Sequence, residues 1–166
     1  MIRRFFARDE AAQSLVEFAL ILPVILLIIT GVFDVARAAW QENTLAYAAR
    51  EGTRYAIVRG SGAIDYGDSV YPESPSTSCT STPTDPGPGT CAGVFTAVRN
   101  AAVGVPNITV TASWPGPPPL PAGCINRNCQ VQVDASAPFV PLPSRYLLGS
   151  VFQITLRGGS LLVIQR

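Results

Sequence analysis

The chain has 166 residues, of which 48% are hydrophobic and only 14% charged, well below the ~25% charge usual in soluble domains. That length holds one modest domain plus an anchor and not two full-sized domains. Twelve basic and eleven acidic residues leave a net charge of +1, which excludes a broad basic surface for nucleic acid. All 12 basic residues are Arg, with no Lys and no His. The commonest general base and metal ligand and the Schiff-base lysine are therefore absent, so a non-enzyme without cofactor or metal is expected.

The first element in chain order is apolar. Phe18 to Phe33 (FALILPVILLIITGVF) carries no charge, and extension to Leu15 and Val35 makes it 21 residues long. At ~1.5 Å per residue a helix of that length spans a bilayer. Leu, Ile and Val occupy every face, leaving no side for solvent. Pro23 removes one backbone hydrogen bond, which membrane helices tolerate. The sequence thus divides into a segment 1–14, a transmembrane helix 15–35, a continuation 36–59 and a loop-rich domain 60–166. Arg3, Arg4 and Arg8 before the span are matched by Arg37, Arg50 and Arg54 after it, so the positive-inside rule alone does not orient it.

Cysteine does. Cys79, Cys91, Cys124 and Cys129 form an even set in a loop-rich region, as disulfides do in an oxidising compartment. Residues 1–14 are then cytoplasmic and the carboxyl-terminal domain extracytoplasmic. Three pairings are open, and Cys79–Cys91 with Cys124–Cys129 closes the shortest loops. Zinc is the competing reading, but the gaps and the missing His suit it poorly. Ala36-Arg37-Ala38 also has the form of a signal-peptidase site, which would make a secreted protein; the long charged lead and Asp34 argue against it.

Beyond the span, residues 36–59 are alanine-rich and contain no proline, so the helix is expected to continue into water. Ala38, Leu45, Ala48, Ala49, Gly52 and Ala56 recur at helical spacing as a face of small side chains, suited to close packing against another helix or against the chain's own domain. Trp40, Thr44, Tyr47, Tyr55 and Val58 make a bulkier neighbouring stripe. Gly60 and Gly62 stop the helix. Asp65 to Thr90 reads as an exposed loop held by a cysteine pair, and its Asp65, Asp68 and Glu73 match no compact calcium cage. A helix is expected over Ala92–Val103, and strands over Ile108–Trp114 and Val131–Ala135, the latter reaching from Cys129 toward Ala137. Pro115 to Pro121 forms a connection between those strands. Pro138, Pro141 and Pro143 break the chain after the second of them, and a helical turn is expected at 145–148. Val151–Leu156 and Leu161–Ile164 flank Arg157-Gly158-Gly159-Ser160, read as a hairpin turn. The fold class is α+β, a long amino-terminal helix on a small antiparallel sheet. Asp65, Asp68, Glu73, Asp85 and Asp134 form no catalytic motif.

One residue stands out chemically. Glu17 puts a carboxylate at the start of an apolar helix, where ionisable groups are costly. Either it lies at headgroup level, favoured there by the helix dipole, or it enters an apolar bundle and needs a cation. Gln13-Ser14-Leu15-Val16-Glu17-Phe18, the apolar run with Pro23, then Asp34-Val35-Ala36-Arg37 and Ala48-Ala49-Arg50-Glu51-Gly52-Thr53-Arg54-Tyr55-Ala56, resemble the TadE-like family of tight-adherence pilus proteins. The resemblance is specific over residues 13 to 58. It implies a pilin-like minor pilin or pseudopilin, single-pass in the bacterial cytoplasmic membrane, with other pilins and a membrane assembly platform as partners. It further implies a prepilin peptidase acting between Ala12 and Gln13, with Glu17 fifth in the mature chain. Because an unpaired carboxylate in an apolar bundle is costly, Glu17, with Pro23, is expected to set helix register in assembly. The family's usual residue before the cut is Gly, where this chain has Ala12. The alternative is a single-pass surface protein whose disulfide-stabilised domain binds a partner or the cell wall.

Overall fold

A computed structural model describes residues 3–59, 78–87, 91–115, 128–142, 145 and 152–165, with backbone only at 3–11 and 59. Helix α1 runs Arg3–Arg59, followed by strand β1 (Ser78–Ser81), helix α2 (Ala92–Ala101), and strands β2 (Thr109–Ser113), β3 (Gln130–Phe139) and β4 (Ile154–Val163). The strands form one sheet in the order β1-β2-β3-β4, every pair antiparallel. The α+β class expected from the sequence is the class observed.

The chain divides into two compact units, Met1–Arg37 with Val140–Phe152, and Ala38–Phe139 with Gln153–Arg166. The second unit contains the core. Leu45, Ala48, Ala49, Gly52, Thr53 and Ala56 of α1 are buried, at the three- and four-residue spacing of one helical face. They are joined by Val94, Phe95 and Val98 of α2 and by the alternate residues Val131, Val133, Ala135 and Ala137 of β3. Gly52 allows a close approach: a Cβ there would run into Val98 Cγ2 and stand 3.3 Å from Val133 Cγ1.

Three sequence expectations are corrected. Arg157 to Ser160 is no hairpin turn; β4 passes straight through it, with Ser160, Gly159, Gly158 and Arg157 opposite Val133, Asp134, Ala135 and Ser136. Gly158 is there for space against α1, whereas Gly159 lies beside the movable end of a side chain. A Cβ on Gly158 would enter the backbone of Leu45 and Ala46, standing 2.7 Å from Ala46 Cα, and one on Gly159 would stand 2.5 Å from Asp134 Oδ1. Pro138 does not break β3 either. It pairs with Thr155 of β4, while β2 reaches only as far as Ser136, so the ladder on that side has ended before the proline.

Third, Ser78 to Ser81 is a strand and not loop. The tetrad Ser-Cys-Thr-Ser lacks the apolar alternation that marks a strand, but it pairs with β2 from Ser78↔Ser113 to Ser81↔Val110. Cys79 is joined to Cys91, which ties β1 to the start of α2. Arg99 of α2 donates to Ser81 Oγ and, at 2.9 Å, to the Thr82 carbonyl. Helix α2 starts at Ala92 as expected and stops at Ala101, two residues short of Val103; Gly104 then takes a φ of 77°, open to glycine at little cost. The expected stops at Gly60 and Gly62, the acidic residues Asp65, Asp68 and Glu73, and residues 116–121 lie outside the described residues. Of the turn expected at 145–148 only Arg145 is described, its N–H donating to the Pro141 carbonyl at 3.0 Å.

Candidate functional site

The feature that sets this chain apart is the apolar part of α1. Every large apolar side chain from Leu15 to Val35 is at least 39% exposed. That separates it from a core helix, which would hide at least one face. It is long and apolar enough to cross a membrane, and none of its apolar window is buried inside the protein. Thr30 gives its hydroxyl back to its own helix, at 2.9 Å from the Leu26 carbonyl and 3.0 Å from the Leu27 carbonyl. A hydroxyl so satisfied can face lipid without an unmet donor. Helix α1 continues through Pro23.

At the amino-terminal end of the run Ala12, Gln13 and Glu17 are all exposed. Helical geometry stacks residues four apart, and Gln13 Nε2 donates to Glu17 Oε1 at 3.2 Å. The carboxylate therefore meets a neutral amide on its own helix. The bond between Ala12 and Gln13 lies inside α1, so a protease that reads extended substrate must first unwind this turn.

The other end holds an arrangement that sequence reasoning missed. Asp34, the first charge after the run, is 6% exposed. Its Oδ2 accepts the Leu142 N–H at 2.8 Å, and its Oδ1 lies 3.5 Å from the Arg37 guanidinium. Arg37 in turn donates to the Val140 carbonyl at 2.7 Å. One turn of α1 thus clasps the two ends of the Val140-Pro141-Leu142 tripeptide. The acid and base three residues apart were visible in the sequence, but their common target lies more than 100 residues away and carries only backbone groups.

The small-residue face is occupied by the chain itself. Leu45, Ala48, Ala49 and Ala56 are 0% exposed within the core, and Ala38 is half-buried. Of the bulkier stripe, Trp40, Tyr47 and Val58 stay exposed at 51%, 55% and 62%. Cys79 and Cys91 are bonded to one another. Cys129 is also disulfide-bonded, while its expected partner Cys124 lies outside the described residues. Among the described residues no three His, Cys, Asp or Glu gather as a metal site. Asp85 Oδ1 accepts the Gly87 N–H at 2.9 Å within its own turn, and Asp134 Oδ2 accepts from Gln132 Nε2 at 2.7 Å. Both carboxylates thus serve local structure.

Comparison with known families places a match on this helix. Residues 12–54 fit the model of the TadE-like protein family, the resemblance read from the sequence. The match starts at Ala12, spans the apolar run and the Asp34–Arg37 clasp, and ends among the buried small residues. No curated protein and no solved structure matches the chain.

Proposed function

We propose that this protein is a minor pilin or pseudopilin of a tight-adherence, type IVb pilus, inserted by residues 15–35 in the bacterial cytoplasmic membrane. Residues 1–14 face the cytoplasm and the disulfide-bonded domain lies outside. The observation that carries the reading is a TadE-like segment whose apolar side chains are uncovered on every face. Such a helix has two stable environments, lipid and a bundle of similar helices, and pilus assembly moves it from the first to the second. Lateral packing of α1 against other pilins is the functional act, and neither a cofactor nor catalysis enters it.

Glu17 sets axial register in this scheme. In lipid it sits at the headgroup boundary and keeps Gln13 as its neighbour. In a bundle it needs a cation, because an unpaired buried carboxylate costs several kcal/mol. The α-amine of Gln13, freed by a prepilin peptidase in the same chain or a neighbour, is such a cation. The partners of this scheme are other pilins or pseudopilins, the membrane assembly platform, the peptidase, and lipid. Replacement Glu17→Gln tests the scheme, with membrane insertion expected unchanged and pili on the cell surface expected to fall at least tenfold. Normal piliation in that strain removes register-setting from the proposal. Mass spectrometry of the extracted protein reads the other half: a terminus at Gln13 supports processing, whereas one at Ala39 supports secretion and overturns the membrane assignment.

A further inference from the structure

We infer that the turn after β3, residues Val140–Leu142 together with Arg145 and Phe152, is a second membrane contact, seated in the headgroup-to-acyl boundary of the bilayer that receives α1. The inference rests on the membrane reading of residues 15–35 given above. Its starting point is the clasp: Asp34 holds the Leu142 N–H at 2.8 Å and Arg37 the Val140 carbonyl at 2.7 Å. Twenty-one residues from Leu15 to Val35 rise ~31 Å at ~1.5 Å each, which fills a hydrocarbon core of ~30 Å with almost no excess. Asp34 and Arg37 are therefore at the edge of that core. The turn they hold falls in the interfacial layer, which is ~5–7 Å deep on each side.

The composition of the turn suits that layer. Phe139-Val140-Pro141-Leu142-Pro143 has no charged side chain, and its two prolines carry no N–H. Fewer backbone donors then have to be satisfied where water is scarce. Those of Leu142 and Arg145 are already bonded, to Asp34 and to the Pro141 carbonyl. Arg145 is exposed, and its long apolar stem lets a guanidinium reach a lipid phosphate from such a position. Phe152 is 61% exposed. Aromatic and apolar residues with one Arg are what an interfacial segment needs. With the turn held by Asp34 and Arg37 at the end of an apolar span, the exposed Arg145 and Phe152 of the same compact unit fit lipid.

The test uses the full-length protein in vesicles of phosphatidylethanolamine and phosphatidylglycerol, with photoreactive p-benzoylphenylalanine replacing Phe33, Phe152 or Tyr47 in turn. Tyr47 is the control, exposed but in the other unit. After irradiation, mass spectrometry should find lipid adducts at Phe33 and Phe152, and at most a tenth of that yield at Tyr47. Adding Asp34→Ala should lower the Phe152 yield at least threefold and leave Phe33 unchanged. Adducts at Phe33 with Phe152 no better than Tyr47, or with Phe152 joined to protein instead of lipid, overturn the inference and spare the membrane reading. No adduct at Phe33 overturns both. An Asp34→Ala yield equal to wild type at Phe152 overturns the clasp as what holds the turn to the bilayer.

Discussion

Asp34 and Gly158 show how much of this fold hangs on single residues whose chemistry is ordinary. The Asp34 carboxylate is buried, and removing it leaves the Leu142 N–H without its acceptor at 2.8 Å. A hydrogen bond to a charged group contributes about 1.5–3 kcal/mol, so Asp34→Ala should speed exchange of the Leu142 amide by at least tenfold. Exchange of the core amides of β3 should stay at the wild-type rate. Hydrogen-exchange mass spectrometry or NMR reads both, and an unchanged Leu142 amide means that the clasp does not hold the turn. The glycines give a sharper contrast. A Cβ on Gly158 would collide with the backbone of Leu45 and Ala46, whereas one on Gly31 meets nothing within 4 Å. Gly158→Ala is expected to destabilise by about 1–3 kcal/mol, as overpacking does when backbone must shift. Gly31→Ala should be neutral or favourable by up to about 1 kcal/mol, since Ala is the better helix former. Chemical denaturation in detergent measures the pair, and equal effects would mean that Gly158 does not pack where the structure has it.

At the scale of elements, what could be read from the sequence was whatever announces itself locally. The apolar run, the alanine-rich continuation of α1, α2 and the alternation in β2 and β3 arise from periodicity that neighbours along the chain supply. What could not be read depends on distant partners. The Gly158-Gly159 pair has the local signature of a turn, yet α1 needs Gly158 bare, and pairing of both residues with β3 overrides the signature. β1 is harder still, because Ser-Cys-Thr-Ser has no apolar pattern. Its place comes from the β2 ladder and from the bond between Cys79 and Cys91, the pairing that loop length favoured. The same logic hid the clasp. Glu17 stood out as a charge out of place, whereas Asp34 and Arg37 read as ordinary flanks until the tripeptide they hold came beside them. The Cys79–Cys91 bond has a measurable weight. Closing a loop across a sequence separation of 12 removes about 3 kcal/mol of denatured-chain entropy. Cys79→Ala with Cys91→Ala should therefore lower the denaturation midpoint markedly while α1 remains inserted in membranes. A midpoint matching wild type would show that β1 is held by its ladder alone.

For the whole molecule, the two units differ in what covers their apolar surface. In the unit of Ala38–Phe139 and Gln153–Arg166, the small face of α1, α2 and the sheet cover one another, and the core closes on itself. In the unit of Met1–Arg37 and Val140–Phe152, the large apolar side chains from Leu15 to Val35 remain open on all sides. Complete burial of one such side chain contributes about 1.5–3 kcal/mol. The 15 of them between Leu15 and Val35 thus make an aqueous, monomeric full-length chain untenable by tens of kcal/mol. Full-length protein should sediment with membranes after alkaline carbonate washing and need detergent to come free. A chain starting at Ala38 keeps every buried residue of the core and should appear in the soluble fraction, disulfides formed. If the full chain instead stayed monodisperse in buffer without detergent, an internal cover for residues 15–35 would have to exist. The helix would then have neither lipid to leave nor a bundle to join, and the assembly role assigned to it would fall with the span.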